Sequence, residues 1–321
     1  DKGGDRMDAP VLYIVVPCYN EEEALPITAD RLRVLADDMI GKGLISPESK
    51  IALVDDGSRD NTWKVICTLN GFDKRFEGVK LAHNAGHMNA LWAGMATVCE
   101  KCDALVTIDA DLQDDVNAIY GFLEKFKEGC DVVYGVRKSR ETDSTFKRSS
   151  AQGFYKVMKK LGVELVYNAA DYRLLSRRAV EALMQFGEVN MFLRGMVPLL
   201  GFRTAEVYYE RGERVAGESK YPFKKMVAFA VEGITSFSNR PIRFVTLLGV
   251  VCALLGVAMA VYVVASLIGG QSAAGWPSLM MSIWLLGGMQ LIALGLIGEY
   301  IGKIYMETKR RPKFILEEYR R

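Results

Sequence analysis

Short apolar runs recur through the first two thirds of the chain, and each stops at a polar or acidic cluster. Residues 11–16 run into Pro17-Cys18-Tyr19-Asn20-Glu21, residues 51–54 end at Asp55-Asp56-Gly57-Ser58, residues 104–108 end at Asp109-Ala110-Asp111-Leu112-Gln113-Asp114, and residues 132–134 end at Gly135. A β-branched run without polar alternation is the pattern of a strand buried on both faces. Residues 79–81 are a weaker example, and 203–210 alternate like a last strand. Between the runs, helical patterns cover about 22–40, 61–69, 87–99 and 115–128, with further helical segments at about 147–161 and 176–185. Alternating strand and helix predicts an α/β fold with an open, mostly parallel sheet and helices on both faces. Such sheets bind ligands beyond the carboxyl ends of their strands. The polar clusters therefore converge on one rim.

The last third has a different pattern. Residues 244–268 carry no charge over 25 positions, and residues 279–298 none over 20. At ~1.5 Å per residue these helices reach roughly 37 and 30 Å, enough to cross a hydrocarbon core of ~30 Å. Two transmembrane spans are expected, at about 244–268 and 279–301, within a hairpin over 241–302. The connector, residues 269–278, is uncharged, whereas Arg240 and Arg243 precede the first span and Lys303, Lys309, Arg310, Arg311 and Lys313 follow the second. Basic flanks stay in the cytoplasm, so both ends of the hairpin are expected inside, with residues 303–321 a basic cytosolic tail. Just upstream, Phe223, Met226, Val227, Ala230, Val231, Ile234 and Phe237 recur at helical spacing beside Lys220, Lys224 and Lys225. That is the signature of an interfacial amphipathic helix, over 222–240, lying at the lipid headgroups. Residues 7–221 then form the cytosolic domain. Residues 1–6, before Met7, read as an appended remnant, and no secretory signal precedes Val11.

Charge and cysteine content narrow the classes further. Lys and Arg number 41 against 39 Asp and Glu, a net +2, so no global charge argues for nucleic acid. Six cysteines in a cytosolic setting should be reduced. Cys99 and Cys102 form a Cys-x-x-Cys pair, but no second pair completes a zinc set. His83 and His87 are the only histidines; neither stands at ligand spacing with the acids, and His87 is expected to cap or line the site. No Gly-x-Gly-x-x-Gly follows a strand, and the Walker phosphate loop is absent.

The cluster at residues 107–114 carries the clearest chemistry. In an extended chain, i and i+2 point to the same side, so Asp109 and Asp111, with Gln113 next in the series, present oxygens to one point. Two carboxylates that share a point repel unless a cation sits between them. Oxygen ligands, few in number at a strand's exit, suit Mg²⁺ or Mn²⁺ that is also held by a substrate's phosphates. The basic run Arg137, Lys138, Arg140, Lys147 and Arg148 lies beyond the strand at 132–134.

Pro17-x-Tyr19-Asn20-Glu21, Asp55-Asp56-Gly57-Ser58, Asn84-x-Gly86-His87 and Asp109-x-Asp111-Leu112-Gln113-Asp114 stand in the order and spacing of family 2 glycosyltransferases with the GT-A fold. Val136-Arg137-x-x-Arg140, Asp171-Tyr172-Arg173-Leu174-Leu175 and Glu218-Ser219-Lys220-Tyr221, followed by two spans, resemble the branch that glycosylates polyprenyl phosphates. Dolichyl-phosphate mannose synthases and bacterial undecaprenyl-phosphate glucosyltransferases belong to it. The resemblance covers about residues 9–315. It implies that Pro17, Tyr19, Asn20, Glu21, Asp55 and Asp56 serve the nucleotide-sugar, that Asp109, Asp111 and Gln113 hold the metal, and that the basic loop meets the acceptor phosphate. The chain departs from the family in having His83-Asn84-Ala85-Gly86 for Arg-Asn-Phe-Gly and Asp114-Asp115-Val116-Asn117 for Asp-Pro-Pro-Glu. These departures blur the sugar and the nucleotide more than the reaction type.

The reaction implied moves a hexose, glucose and UDP favoured, to undecaprenyl or another polyprenyl phosphate at the cytoplasmic face of a bacterial plasma membrane, with inversion at the anomeric carbon. A phosphate monoester has a second pKa of about 6 and is already a nucleophile at neutral pH, so a strong general base is dispensable. Cations to bring that phosphate beside a diphosphate are needed instead, and Arg137, Arg140, Arg148 and Lys220 suit the task. Asp171 and Asp114 are the candidates for catalytic carboxylates that orient the acceptor or the sugar hydroxyls. Two alternatives compete. A processive polysaccharide synthase would be expected to carry more spans and a Gln-x-x-Arg-Trp motif, and no Trp here follows an Arg. A non-catalytic membrane scaffold or carrier of lipid-linked sugar would not need paired acids at a strand end. Gly298 and Gly302 allow close helix approach, and a homo-oligomer, a tetramer by resemblance to the bacterial branch, is expected.

Overall fold

A computed structural model describes residues 9–138, 166, 168–189, 192–212, 240–268 and 275–321. The chain forms two compact units, one comprising Asp1–Tyr155, Glu164–Pro222 and Arg311–Arg321, the other Lys156–Val163 and Phe223–Arg310.

The first unit is built on an eight-stranded sheet. Its elements are β1 (Leu12–Cys18), α1 (Leu25–Gly41), β2 (Lys50–Asp55), α2 (Thr62–Phe72), β3 (Phe76–Leu81), α3 (His87–Val98), β4 (Ala104–Thr107), α4 (Ala118–Lys127), β5 (Val132–Arg137), β6 (Ala169–Ser176), α5 (Arg177–Met184), α6 (Leu193–Leu199), β7 (Thr204–Tyr209) and, at the far end of the chain, β8 (Leu316–Arg320). The strand order is β7-β5-β6-β4-β1-β2-β3-β8. Four neighbouring pairs are parallel, β1 with β2, β1 with β4, β2 with β3, and β5 with β7. Three are antiparallel, β4 with β6, β5 with β6, and β3 with β8. The sheet is thus mixed and GT-A-like, less parallel than strand and helix alternation predicts, because β6 enters between β4 and β5 in the opposite sense.

The apolar runs become strands for the reason their pattern predicts: every residue of β1 and of β4 is buried. Helix α1 starts with a proline in its first turn and buries Leu25, Ala29, Leu32, Ala36 and Met39 along one stripe. Helix α3 lies so close to the sheet that a Cβ on Gly94 would stand 2.5 Å from Val15 Cγ1 and 2.7 Å from Val54 Cγ2. That approach fixes α3 over β1 and β2, with its first residue, His87, at the rim. On β6, Tyr172 packs between Phe122 of α4, at 4.8 Å between ring centroids, and Tyr209 of β7, at 5.4 Å and edge-on.

The second unit contains α7 (Arg240–Ile268) and α8 (Trp276–Lys309), which touch at Cys252 Sγ and Met289 Sδ, 3.8 Å apart. Among the described residues one stretch, Leu285–Lys309, is long and apolar enough to cross a membrane; Ile242–Ala258 is a shorter apolar stretch. Two helices therefore occupy the region where two spans are expected, and one of them meets the length and apolarity of a crossing. Helix α8 ends at Arg310, whose φ of 47° is left-handed. The expected interfacial helix lies outside the described residues except for Arg240, and so do residues 1–6 and 269–274 of the connector.

Candidate active site

Two turns at the ends of β1 and β2 are stitched together. Asn20, at φ 54°, donates its backbone N–H to Ser58 Oγ at 3.0 Å and accepts from the Arg59 N–H at 2.9 Å through Oδ1. The Glu21 N–H donates to Thr62 Oγ1 at 2.9 Å, and the Glu22 carboxylate accepts from Asn61 through both its backbone and side-chain nitrogens. Asp55, fully buried, accepts the Ser58 N–H at 3.1 Å, and burial pushes its carboxyl up. Asn20 and Asp55 thus hold the turns in shape. Pro17, Tyr19 and Glu21 line the cavity that the turns frame.

The opposite wall is the segment from His83 to His87. The Asp56 carboxylate accepts from the backbone N–H of Ala85 at 2.7 Å and of Gly86 at 3.0 Å. Burial pushes this carboxyl up and those two donors pull it back. Gly57, at φ 65°, lets the turn lie against this wall: a Cβ there would be 2.6 Å from both Asn84 N and His83 C. Between the walls, beyond β4, stand Asp109 and Asp111. Asp111 Oδ1 caps the Gln113 N–H at 3.1 Å, and Leu112 takes a left-handed φ of 53° to turn the chain. The whole encloses an open cavity of about 320 Å³, lined by Pro17, Tyr19, Glu21, Asp56, His87, Asp109 and Asp111 among others.

Asp109 is hemmed in by protein yet 39% of its side chain stays open to the cavity. Burial is the main cause that raises its carboxyl to about 6; His87 opposes this, and the charges of Asp171, Asp114 and Asp111 add to it. His87 Nε2 lies 3.5 Å from Asp109 Oδ1. Spacing in the sequence separates His87 from the acids; the start of α3 brings it to them. No group of three or more His, Cys, Asp or Glu side chains able to hold a metal occurs among the described residues. The two carboxylates that face the cavity are nonetheless oxygen donors crowded by like charge. They fit a divalent cation that takes the rest of its ligands from a substrate's phosphates. Gln113 is drawn elsewhere, its Oε1 accepting from the Arg211 guanidinium and its backbone carbonyl from the Gly212 N–H at 2.8 Å.

Two further carboxylates sit behind the cavity, each claimed by arginine. Asp114, buried, accepts from Tyr209 Oη at 2.6 Å and from Arg137 at 3.2 Å. Asp171 accepts from Arg173 at 2.6 Å and from Arg194 at 2.9 Å, with 7% of its side chain exposed. Burial alone would raise Asp171; the charges of Arg194 and Arg173 overcome it and hold the carboxyl well below the usual carboxylate range. Neither acid lines that cavity. Arg194 and Tyr209 are the residues that sequence reasoning missed. A lone arginine between Leu193 and Gly195 and a tyrosine at the end of an alternating strand give no local sign of the acids they meet. Arg140, Arg148 and Lys220 lie outside the described residues.

Residues 13–184 match the family model described as glycosyl transferase family 2. The chain belongs to that family. Residues 240–304 match a second model, the GtrB C-terminal hairpin. The family member YkoT of Bacillus subtilis, an uncharacterized glycosyltransferase, is 51% identical over 97% of this chain and 93% of its own length. A prophage bactoprenol glucosyl transferase homolog of Escherichia coli is 38% identical over 97% of this chain and 99% of its own. Among solved structures, the glucosyl-3-phosphoglycerate synthase of Mycobacterium tuberculosis aligns with a TM-score of 0.46 and 18% identity, covering 70% of this chain and 78% of that one.

Proposed function

We propose that this family 2 glycosyltransferase moves a hexose, glucose in preference, from a UDP-sugar to the phosphate of undecaprenyl or a similar polyprenyl phosphate at the cytoplasmic face of a bacterial plasma membrane. The observation that carries the reading is the cavity beyond β4, where Asp109 and Asp111 face the walls made by Pro17, Tyr19, Glu21 and Asp56. The acceptor is supported by the match of residues 240–304 to a hairpin model and by the named function of the Escherichia coli relative. A two-span hairpin over about 244–268 and 279–301 is part of the same reading. It is supported by α7 and α8, whose apolar side chains Phe244, Leu254, Leu291 and Ile292 are each at least 65% exposed and need lipid or a partner copy to cover them. A homo-oligomer, tetrameric by resemblance, would place Gly298 and Gly302 between helices.

Pro17, Tyr19 and Glu21 bind the nucleotide, with Asn20 and Asp55 holding their turns, and Asp56 keeps the opposite wall in place. A divalent cation, Mg²⁺ or Mn²⁺, between Asp109 and Asp111 and the donor's diphosphate would neutralise the charge that the leaving nucleotide gains. The acceptor phosphate is a nucleophile without deprotonation by the protein, so Asp171 and Asp114 act through their arginines: Asp114 fixes Arg137, and Asp171 fixes Arg194. Arg137, with Arg140, Arg148 and Lys220, receives the lipid phosphate and offsets its repulsion by the donor. Attack from the face opposite the leaving group inverts the anomeric carbon and gives a β-linked lipid phosphosugar from an α-linked donor. Purified full-length protein given radiolabelled UDP-glucose and a short polyprenyl phosphate should make a labelled, butanol-extractable lipid. Label found in a growing polymer, or none transferred to lipid from any nucleotide-sugar of a donor panel, would overturn the proposal.

A further inference from the structure

The chain returns from α8 to the sheet, and the place it returns to is the wall of the cavity. Strand β8 runs antiparallel to β3, pairing Gly78 with Arg320, Val79 with Tyr319, Lys80 with Glu318 and Leu81 with Leu316. One step further along, the Ala82 N–H donates to the Ile315 carbonyl at 2.9 Å. Ala82 is the last residue before the segment from His83 to His87. On the other side of that segment, α3 carries Trp92, and Lys313 Nζ sits 3.8 Å from the centre of its ring while donating to the Phe186 carbonyl at 2.9 Å. Residues 313–316 thus grip the wall from both ends, the strand before it by backbone hydrogen bonds and the helix after it by a cation held over an indole. The wall is what supplies Asp56 with its two N–H donors and holds His87 3.5 Å from Asp109. The far end of β8 is anchored independently: Tyr319 donates to buried Glu77, which also accepts from Lys50 at 2.7 Å, and Lys80 pairs with Glu317 at 2.8 Å.

We infer that the C-terminal segment is a working part of the donor site, with Lys313 a positioning residue that sets the wall from His83 to His87 at the height where the nucleotide-sugar is bound. A strand serving only to cover the open edge of β3 would need the β8 pairing. It would not need a lysine three residues upstream on the face of α3. The inference rests on the proposed donor chemistry, and its test separates the two. Titration calorimetry of UDP-glucose with Mn²⁺ into the full-length protein gives the wild-type affinity; no binding of any nucleotide-sugar by wild type would fault the proposed function itself. With wild type binding, Lys313→Ala should weaken the donor about fivefold or more, the loss of a partly buried cation over an aromatic ring. Lys313→Arg, which keeps a cation and donors, should restore most of it. Acceptor KM should be unchanged in both, and the thermal midpoint should stay close to wild type because the β8 pairing and its Tyr319 anchor remain. If Lys313→Ala lowers stability, Lys313→Gln, which keeps a donor for Phe186 and loses the charge, should show the same donor defect at temperatures well below its midpoint. Donor affinity equal to wild type in folded Lys313→Ala or Lys313→Gln, or loss of affinity that arginine does not rescue, would overturn the assignment.

Discussion

Replacing Asp171 by alanine tests whether that carboxylate acts on the substrate or on its arginines. Asp171 and Arg173 expose 7% and 4% of their side chains, and the carboxylate meets Arg173 at 2.6 Å and Arg194 at 2.9 Å. Without it, the hydrogen-bond partners left to Arg173 among the described residues are the backbone carbonyls of Leu193 and Ala170, each at a long 3.4 Å. A buried charge left unpaired costs about 3–5 kcal/mol. Arg194, 35% exposed, adds little because water can reach it. In a domain of this size each kcal/mol lowers the midpoint by about 2–4 °C, so a fall of roughly 10 °C is expected. The assay is thermal unfolding of the full-length protein in bilayer discs, followed by tryptophan fluorescence. Its pH dependence has a definite sign. The Asp171 carboxyl is held below its usual range in the native state, so its stabilisation is complete above the unfolded carboxyl's pKa of about 3.9. It is lost only as pH falls through the lower native value. The gap between wild type and Asp171→Ala should therefore be flat from neutral pH down to about 4 and close only below it. Asp171→Asn, which keeps one acceptor oxygen, should fall between the two. A variant that melts like wild type while transfer drops more than about 100-fold would refute the reasoning, since that is the mark of a group acting in the reaction.

EDTA should abolish transfer and Mn²⁺ or Mg²⁺ restore it, with Asp109→Asn costing at least about 100-fold in kcat; full activity after the metal has been shown to be stripped would exclude a metal role for the pair. Gly57→Ala forces a Cβ to within 2.6 Å of the His83 and Asn84 backbone at a φ of 65°, and should cost about 2 kcal/mol or more in stability and weaken donor binding by displacing the wall that Asp56 holds. Thermal unfolding with calorimetry of the donor reads both, and wild-type behaviour in each would show that the two loops are not in register there.

The rim of this molecule was legible because burial on both faces demands unbroken apolar strands, and a strand that must end there does so in polar residues that line the cavity. β1, β2 and β4 announce themselves in that way, and so do the clusters at Pro17, Asp55 and Asp109. Strand β6 does not. It carries Asp171 and Arg173 into the middle of the sheet, a pattern that defeats hydrophobic periodicity because those charges are neutralised by each other and by Arg194, 23 residues on. β8 is hidden for a related reason: an edge strand half open to water can be Leu-Glu-Glu-Tyr-Arg, and its partner, β3, lies more than 230 residues earlier. The contacts of the motif residues depend on packing in the same way. Asn20 and Asp55 stand beside cavity-lining residues in the sequence, yet Asn20 bonds to the neighbouring turn and Asp55 to Ser58 of its own; His87, remote from Asp109 in spacing, reaches it because Gly94 lets α3 settle onto β1 and β2. Local sequence records which side chains leave water. Which buried charges meet, and which loop a turn is tied to, depends on the packing of distant segments, and tertiary structure alone decides it.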